Sequence, residues 1–149
     1  MDTVRALQQV FIFKDVPERV LKVVASAAEE ISVSPGETLF SPSDRPNALF
    51  VIRSGTLRVT PEGERTPPIM FGTGETIGEM SLLDGGSAAA TVTAVERVDL
   101  YALRAGKLAT VLASHPEAGY ELYRAIASSL ARRLRRAVGV IIAKERPGA

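Results

Sequence analysis

The chain has 149 residues, of which 46% are hydrophobic and 23% charged, and its formal net charge is +1. This length and composition are typical of a single folded domain covering residues 1–149, and they exclude a disordered chain. There is no cysteine and only one histidine, His115, so few of the groups used for metal binding or catalysis are present and we expect neither a metal site nor an enzyme.

Residues before Glu30 have the spacing of two short helices. Val4, Leu7, Val10 and Phe11 recur at intervals of one to three residues, which predicts a short amphipathic helix. A second helix start follows at residues 15–18, where proline and acidic residues precede an apolar face. That face consists of Val20, Leu21, Val23, Val24 and Ala27. We expect both helices within residues 3–28.

From residue 30 to residue 104 the pattern changes to short apolar runs separated by turn residues. The runs are residues 31–33, 39–40, 49–51, 57–59, 69–71, 90–95 and 98–103. Short runs with turn signals every ~8–12 residues are typical of an antiparallel sandwich, jelly roll or barrel. We therefore predict a mainly β domain with flanking helices.

A helical period returns in residues 105–143. One short helix is predicted around Leu108, and a long helix follows from about Pro116 to Ala143. The long helix has an apolar stripe formed by Leu122, Ile126, Leu130, Leu134, Val138 and Ile141. The last residues, 146–149, are expected to be disordered.

No stretch approaches the ~20 apolar residues of a membrane span, and the amino terminus is too polar for a signal peptide. We therefore expect a cytoplasmic protein without membrane insertion. Charge is unevenly distributed, because residues 1–120 carry 11 basic and 15 acidic side chains whereas residues 121–149 carry 7 and 2. A basic tail of this kind attracts an acidic partner or an anionic surface, or it is a solvated helix face.

The glycine-rich segment at residues 72–92 has recognisable chemistry. Gly78 precedes Glu79, and the residues that follow can form one helical turn with Leu82 and Leu83 directed inward. A glycine before a free helix N-terminus presents N–H donors to an anion, although a glycine-rich bulge between two strands would have the same sequence. Glu79 would repel an anion but could accept a hydrogen bond from a neutral sugar hydroxyl. Together these features indicate a ligand with both phosphate and ribose.

The chain resembles the cyclic-nucleotide-binding domain family, which includes the catabolite activator protein and the regulatory subunits of protein kinase A. The matching motifs are Pro35-Gly36-Glu37, residues 49–55, Gly78-Glu79, Leu82-Leu83 and Ala90-Thr91-Val92. The resemblance covers nearly all of residues 10–143. It implies an eight-stranded antiparallel jelly-roll barrel over about residues 30–104, with N-terminal helices and a long closing helix.

The resemblance also implies a ligand site, from which this sequence departs at one position. Gly78 and Glu79 would hold the ribose 2′-hydroxyl, and the N–H groups of Met80 and Ala89 would meet the cyclic phosphate. Ala88 occupies the position of the family's phosphate-binding arginine. Losing a buried guanidinium contact to phosphate costs about 2 to 5 kcal/mol, or roughly 30-fold to several thousand-fold in affinity. The site is degenerate, or it binds a less anionic ligand, or another basic residue supplies the charge.

Arg133 is the candidate for that other basic residue. At 100° per residue it lies beside the apolar stripe near Leu130, whereas the neighbouring arginines 132, 135 and 136 lie on the opposite side. The alternative is a flanking residue whose charge stays in water. Ala137 and Val138 stand where bacterial activators have hydroxyl residues that contact the base, so no purine is favoured. The candidate ligand-binding residues are Ile77, Gly78, Glu79, Met80, Ser81, Ala88, Ala89 and Arg133, with cyclic AMP or cyclic GMP as the ligand.

The long helix resembles the dimerisation helix of the bacterial activators. We expect a homodimer through residues 122–141, although the helix could instead fold back along its own barrel. The sequence ends soon after this helix, so we expect a stand-alone sensor domain without direct, sequence-specific DNA binding. The expected function is regulatory sensing of a small ligand, with weakened or altered cyclic nucleotide binding and an unidentified protein partner. The alternative is a degenerate barrel that serves as a protein-interaction or dimerisation module.

Overall fold

The computed structural model describes residues 3–63 and 66–145, with side chains described as far as residue 140 apart from the gap. Two helices and a short 3₁₀ helix precede the sheets, a third α-helix interrupts them, and two more helices follow. The helices are α1 (Thr3–Gln8), the 3₁₀ helix (Phe11–Phe13), α2 (Glu18–Ala25), α3 (Glu79–Asp84), α4 (Ala105–Ala113) and α5 (Pro116–Glu145). The expectation for residues 146–149 lies outside the described residues.

Eight antiparallel strands form two sheets of four strands each. The strands are β1 (Ala28–Val33), β2 (Thr38–Phe40), β3 (Ala48–Ser54), β4 (Leu57–Pro61), β5 (Ile69–Phe71), β6 (Thr76–Ile77), β7 (Ala90–Ala94) and β8 (Val98–Arg104). One sheet has the order β1-β8-β3-β6 and the other the order β2-β7-β4-β5. The eight strands and the mainly β class with flanking helices are confirmed, and two sheets of this kind are consistent with the predicted jelly roll. Among the described residues no hydrogen-bonded ladder joins the two sheets, so the jelly roll is not a closed barrel.

The buried apolar side chains form two clusters. One fills the space between the sheets and includes Phe50, Leu57 and Leu100. The other lies where the helices pack on the outer side of β3 and β8, and it includes Leu7, Phe13, Leu21, Leu49 and Leu108. Central strand β3 serves both clusters because its alternate residues face opposite sides of the sheet.

Phe11 does not belong to the buried face on which the sequence pattern placed it. Its side chain is exposed, and Phe13 is buried instead. The cause is that α1 ends at Gln8 and the chain then enters a 3₁₀ turn, so the helical period does not extend as far as Phe11.

Helix α5 is divided into a packed half and an exposed half. Leu122 and Ile126 are completely buried in the helical cluster. Further along, Leu134 is 65% exposed and Val138 is 44% exposed. Among the described side chains, the apolar stripe is therefore packed against the rest of the chain only as far as Leu130. Within the described residues, no helix is both long enough and apolar enough to cross a bilayer.

Candidate functional site

A left-handed turn at Gly78 joins β6 to α3. Gly78 has a φ of 91°, and a Cβ atom there would lie 2.4 Å from the carbonyl oxygen of Ala48. Both the backbone conformation and the lack of space therefore require glycine at this position. The turn places Glu79 at the first position of α3, facing the interior.

Helix α3 is the predicted short helical element, but only one of the two leucines points inward. Leu82 is buried, whereas Leu83 is 42% exposed, so the prediction for Leu83 is wrong. Successive residues of a helix are about 100° apart, so two adjacent side chains do not share the centre of one face. Met80 also lies on the outer side and is largely exposed.

The hydroxyl group of Ser81 fastens α3 to its surroundings. It accepts a hydrogen bond from the N–H of Asn47 at 3.0 Å and donates one to the carbonyl of Gly86 at 2.9 Å. Asp84 Oδ1 accepts the N–H of Gly86 at 2.7 Å. The Ser81 side chain is thereby engaged in holding the turn and the following loop against the start of β3.

Glu79 pairs with Arg133 across the space between α3 and α5. The Glu79 side chain is 3% exposed, and its Oε2 accepts a hydrogen bond from Nη1 of Arg133, whose side chain is 41% exposed. The other carboxylate oxygen, Oε1, is buried and has no hydrogen-bond partner among the described residues. Arg133 thus turns toward the site as the helical spacing suggested, but it meets the carboxylate of Glu79.

The loop at residues 87–90 has no charged side chain, and three of its four residues are alanine. Ala88 is half-buried against the core between the sheets, and its N–H donates to the carbonyl of Asp44 at 2.9 Å. Ala89 is exposed, and its carbonyl accepts the N–H of Glu62 at 3.1 Å. The N–H at position 88 is therefore already used within the protein.

All eight candidate residues line one cavity of about 170 Å³. The cavity lies between α3, the loop before β7, and α5. Sequence reasoning missed most of its walls, namely Phe40, Pro46, Val59, Phe71, Thr76, Ser87, Ala90, Val92 and Leu130. Ala137 and Val138 are exposed and do not line it.

Thr76 is the missed residue with the most chemical interest. Its side chain is 2% exposed, and its Oγ1 has no hydrogen-bond partner in the part of the chain that the structure describes. It lies in β6, a strand of two residues, which is too short to show an alternating pattern. No sequence signal therefore marked it, and only the three-dimensional arrangement places it at the cavity beside Glu79.

Comparison with known proteins finds relatives among nucleotide-responsive regulators. The chain is 35% identical over 105 residues to the cyclic AMP receptor protein of Thermus thermophilus, covering 68% of this chain and 47% of that one. It is 26% identical over 128 residues to a CRP-like cAMP-activated global transcriptional regulator of Mycobacterium tuberculosis, covering 84% of this chain and 55% of that one. The chain thus spans about half the length of these curated relatives.

Solved structures share the fold over nearly the whole chain. The N-terminal domain of a transcriptional regulator from Streptomyces coelicolor superimposes with a TM-score of 0.72 at 32% identity, covering 91% of this chain and 95% of that one. The sequence model of the cyclic nucleotide-binding domain family matches residues 30–115. This range includes part of β1, all the other strands, and the cavity loops. The chain belongs to the cyclic nucleotide-binding domain family.

Proposed function

We propose that this protein is a regulatory sensor in which the cavity binds a cyclic nucleotide weakly and α5 relays its occupancy. The observation that carries the proposal is the ion pair between Glu79 on α3 and Arg133 on α5. A ligand hydroxyl bound to Glu79 would share the carboxylate with Arg133, so ligand binding and the position of α5 would be coupled. Two relatives are named for cyclic AMP, which makes it the first ligand to test.

The weakness of the binding follows from the charges around the cavity. Among the residues that line it, Arg133 is the one basic side chain, and it is paired with Glu79. A phosphate near Ala88 would meet no guanidinium of its own. We expect a dissociation constant for cyclic AMP in the high micromolar to millimolar range, because about 2 to 5 kcal/mol of binding energy is missing.

Calorimetric titration of the protein and its Ala88→Arg variant with cyclic AMP and cyclic GMP tests the proposal. The variant should bind at least about tenfold more tightly than the wild-type protein, because the guanidinium restores a charge-assisted contact. Ala88→Gln has a long side chain without the charge and is the control. If neither the wild-type protein nor Ala88→Arg binds either nucleotide at ~1 mM, the proposed function is overturned.

The relay to α5 has a separate readout. Amide hydrogen exchange along α5, measured with and without ligand on Ala88→Arg, should change around Leu130 and Arg133, which line the cavity. Exchange around Leu122, which is buried in the helical cluster and does not line the cavity, serves as the internal reference. Binding without any change in α5 would contradict the relay while leaving ligand binding intact.

The second half of α5 favours an additional role as a dimerisation surface. Leu134 and Val138 are exposed large apolar side chains about one turn apart on the same helix. We propose that a second copy of the chain covers them, because an exposed apolar stripe on a helix favours helix–helix pairing. In the degenerate-module alternative this surface is the whole function, with an unidentified protein as the other partner that it would bind.

Light scattering tests whether the second half of α5 forms a dimer. Leu134→Ser should shift the molar mass from dimer toward monomer at micromolar concentration. Tyr120→Ser is the matched control, since Tyr120 is equally exposed but lies in the first half of α5. A monomeric wild-type protein, or a dimer that survives Leu134→Ser, would contradict pairing through this half of α5.

A further inference from the structure

Two buried polar atoms without partners lie at the same cavity. Thr76 Oγ1 and Glu79 Oε1 are the buried side-chain oxygen atoms in the described part of the chain that have no hydrogen-bond partner. Both residues line the cavity. Buried polar groups in proteins are nearly always hydrogen-bonded, so a pair of exceptions at one cavity points to groups supplied by a ligand. A carboxylate oxygen only accepts, and a threonine hydroxyl accepts or donates, so the matching ligand group is a hydroxyl.

The charges at the cavity are already balanced. Glu79 is negative, Arg133 is positive, and the two are joined in an ion pair. The remaining lining residues are uncharged. Three of them carry a hydroxyl group, namely Thr76, Ser81 and Ser87. An anionic ligand would therefore introduce a charge with no counterion of its own beside the buried Glu79 carboxylate, whereas a neutral ligand would not.

Much of the cavity wall is apolar. Phe40, Val59, Phe71, Val92 and Leu130 provide an apolar surface on several sides of the cavity. An apolar cavity with a few convergent polar groups is the usual form of a small-molecule site. The polar groups lie at the α3 end, so a ligand with hydroxyls at one end and a ring at the other has the matching distribution.

We propose that this cavity binds an uncharged ribonucleoside in preference to the corresponding cyclic nucleotide. The inference rests on the proposed function, because it concerns the ligand of the same site. A ribonucleoside has the same base and sugar as the cyclic nucleotide, carries no phosphate charge, and has additional free hydroxyl groups. It therefore supplies donors for Glu79 Oε1 and Thr76 Oγ1 without an unpaired negative charge near Ala88.

The test compares ligands that differ only in the phosphate. Adenosine and cyclic AMP, and guanosine and cyclic GMP, are titrated calorimetrically into the wild-type protein and into Ala88→Arg. In the wild-type protein the nucleoside of at least one pair should bind at least about tenfold more tightly than its cyclic nucleotide. In Ala88→Arg the order should reverse, because the new guanidinium binds the phosphate and contributes nothing to the nucleoside.

The outcomes separate the two proposals. If the cyclic nucleotide of each pair binds to the wild-type protein as tightly as its nucleoside or more tightly, the inference is overturned and the proposed function stands. If neither the wild-type protein nor Ala88→Arg binds either cyclic nucleotide at ~1 mM, the proposed function falls and the inference falls with it. Reversal of the preference between the two proteins supports both.

The deoxynucleoside of the preferred pair tests the hydroxyl contact. Removing the 2′-hydroxyl should lower affinity for the wild-type protein about tenfold or more, since a hydrogen bond to a charged acceptor is lost. Thr76→Val, which is close in shape but lacks the hydroxyl, should lower the affinity for the ribonucleoside several-fold. Unchanged affinity in both measurements would overturn the assignment of these two oxygen atoms to the ligand.

Discussion

The two ends of the cavity differ in what the fold requires of them. At the α3 end, Gly78 and Ser81 are needed for the backbone to take its course, whatever the cavity binds. At the other end, Ala88 lies on the loop before β7, half-buried against the core between the sheets. The identity of Gly78 thus follows from the fold, whereas the effect of residue 88 on binding is part of the proposed function. Glu79 lies at the α3 end and is buried, and its Oε1 has no hydrogen-bond partner among the described residues, so it bears on both folding and binding.

Gly78→Ala tests the claim that the α3 end is a folding requirement, and it should have the largest effect. The variant combines a left-handed backbone with a Cβ atom 2.4 Å from a carbonyl oxygen. We expect a loss of about 3 kcal/mol or more in the free energy of unfolding, measured by urea denaturation. Gly36→Ala has a similar φ of 81° but no atom within 4 Å of the added Cβ, so it isolates the backbone strain at about 1 kcal/mol. Equal losses in the two variants would show that the close approach to Ala48 is unimportant.

Arg133→Met tests the connection between α3 and α5. The variant keeps an unbranched apolar stem but removes the guanidinium, which leaves the Glu79 carboxylate buried without a cation. We expect a loss of about 1–3 kcal/mol at pH 7, reduced from the value for fully buried pairs because Arg133 is 41% exposed. Adding Glu79→Gln should recover part of this loss, since it removes the unpaired charge. If the double variant is less stable than the wild-type protein by the sum of the two single losses, the two residues are independent.

Ser81→Ala tests whether the loop between the two ends is held by one hydroxyl. The variant leaves the N–H of Asn47 and the carbonyl of Gly86 without their partner. The expected loss is about 1–2 kcal/mol in the free energy of unfolding. Ser87→Ala is the control, because Ser87 also lines the cavity but is exposed, and it should change stability by less than about 0.5 kcal/mol. Similar losses in both variants would argue against a special role for Ser81.

The sequence predicted the order of helices and strands because their periodicity depends on local residue spacing. It did not distinguish a barrel from two sheets, since an alternating strand has the same pattern in both and only the ladder partners differ. The stripe on α5 shows the same limit. Leu122 and Leu134 belong to one stripe in the sequence, yet at 100° per residue they lie about 120° apart around the helix, and only Leu122 is buried within the chain.

The candidate site could be predicted where the family motif extends along the chain and not where distant segments meet. Glu79 and Ala88 were found because both lie in one motif. Arg133 was placed on the correct side of its helix by its angle, but its pairing with Glu79 joins residues 54 apart in sequence and has no sequence signal. Thr76 was missed because a strand of two residues shows no period. The ligand-binding roles of these residues remain predictions.

Asp99→Asn should have the smallest effect and should leave both ends of the cavity unchanged. Asp99 lies on β8, away from the cavity lining, where it accepts hydrogen bonds from Ser32 at 2.7 Å and from Ser54 at 3.2 Å. The hydrogen bond from Ser32, together with contacts from Arg97 and Ser54, holds the pKa of Asp99 below its usual value of 3.8. The unfolded chain therefore binds a proton at a higher pH than the folded protein does. Asp99 contributes stability above about pH 3.8, and this contribution is lost as the pH falls through the lower folded pKa.

The stability difference between the wild-type protein and Asp99→Asn should accordingly be present at pH 7 and shrink in acid below pH 3.8, as measured by the urea midpoint. Asp15→Asn is the matched control, since Asp15 is exposed and has no hydrogen-bond partner in the described part of the chain. The ligand affinities of Asp99→Asn should equal those of the wild-type protein. If a variant this remote altered the preference between nucleoside and cyclic nucleotide, that preference would depend on the overall stability of the sheets, and the contrast between the Glu79 end and the Ala88 end would lose its explanation.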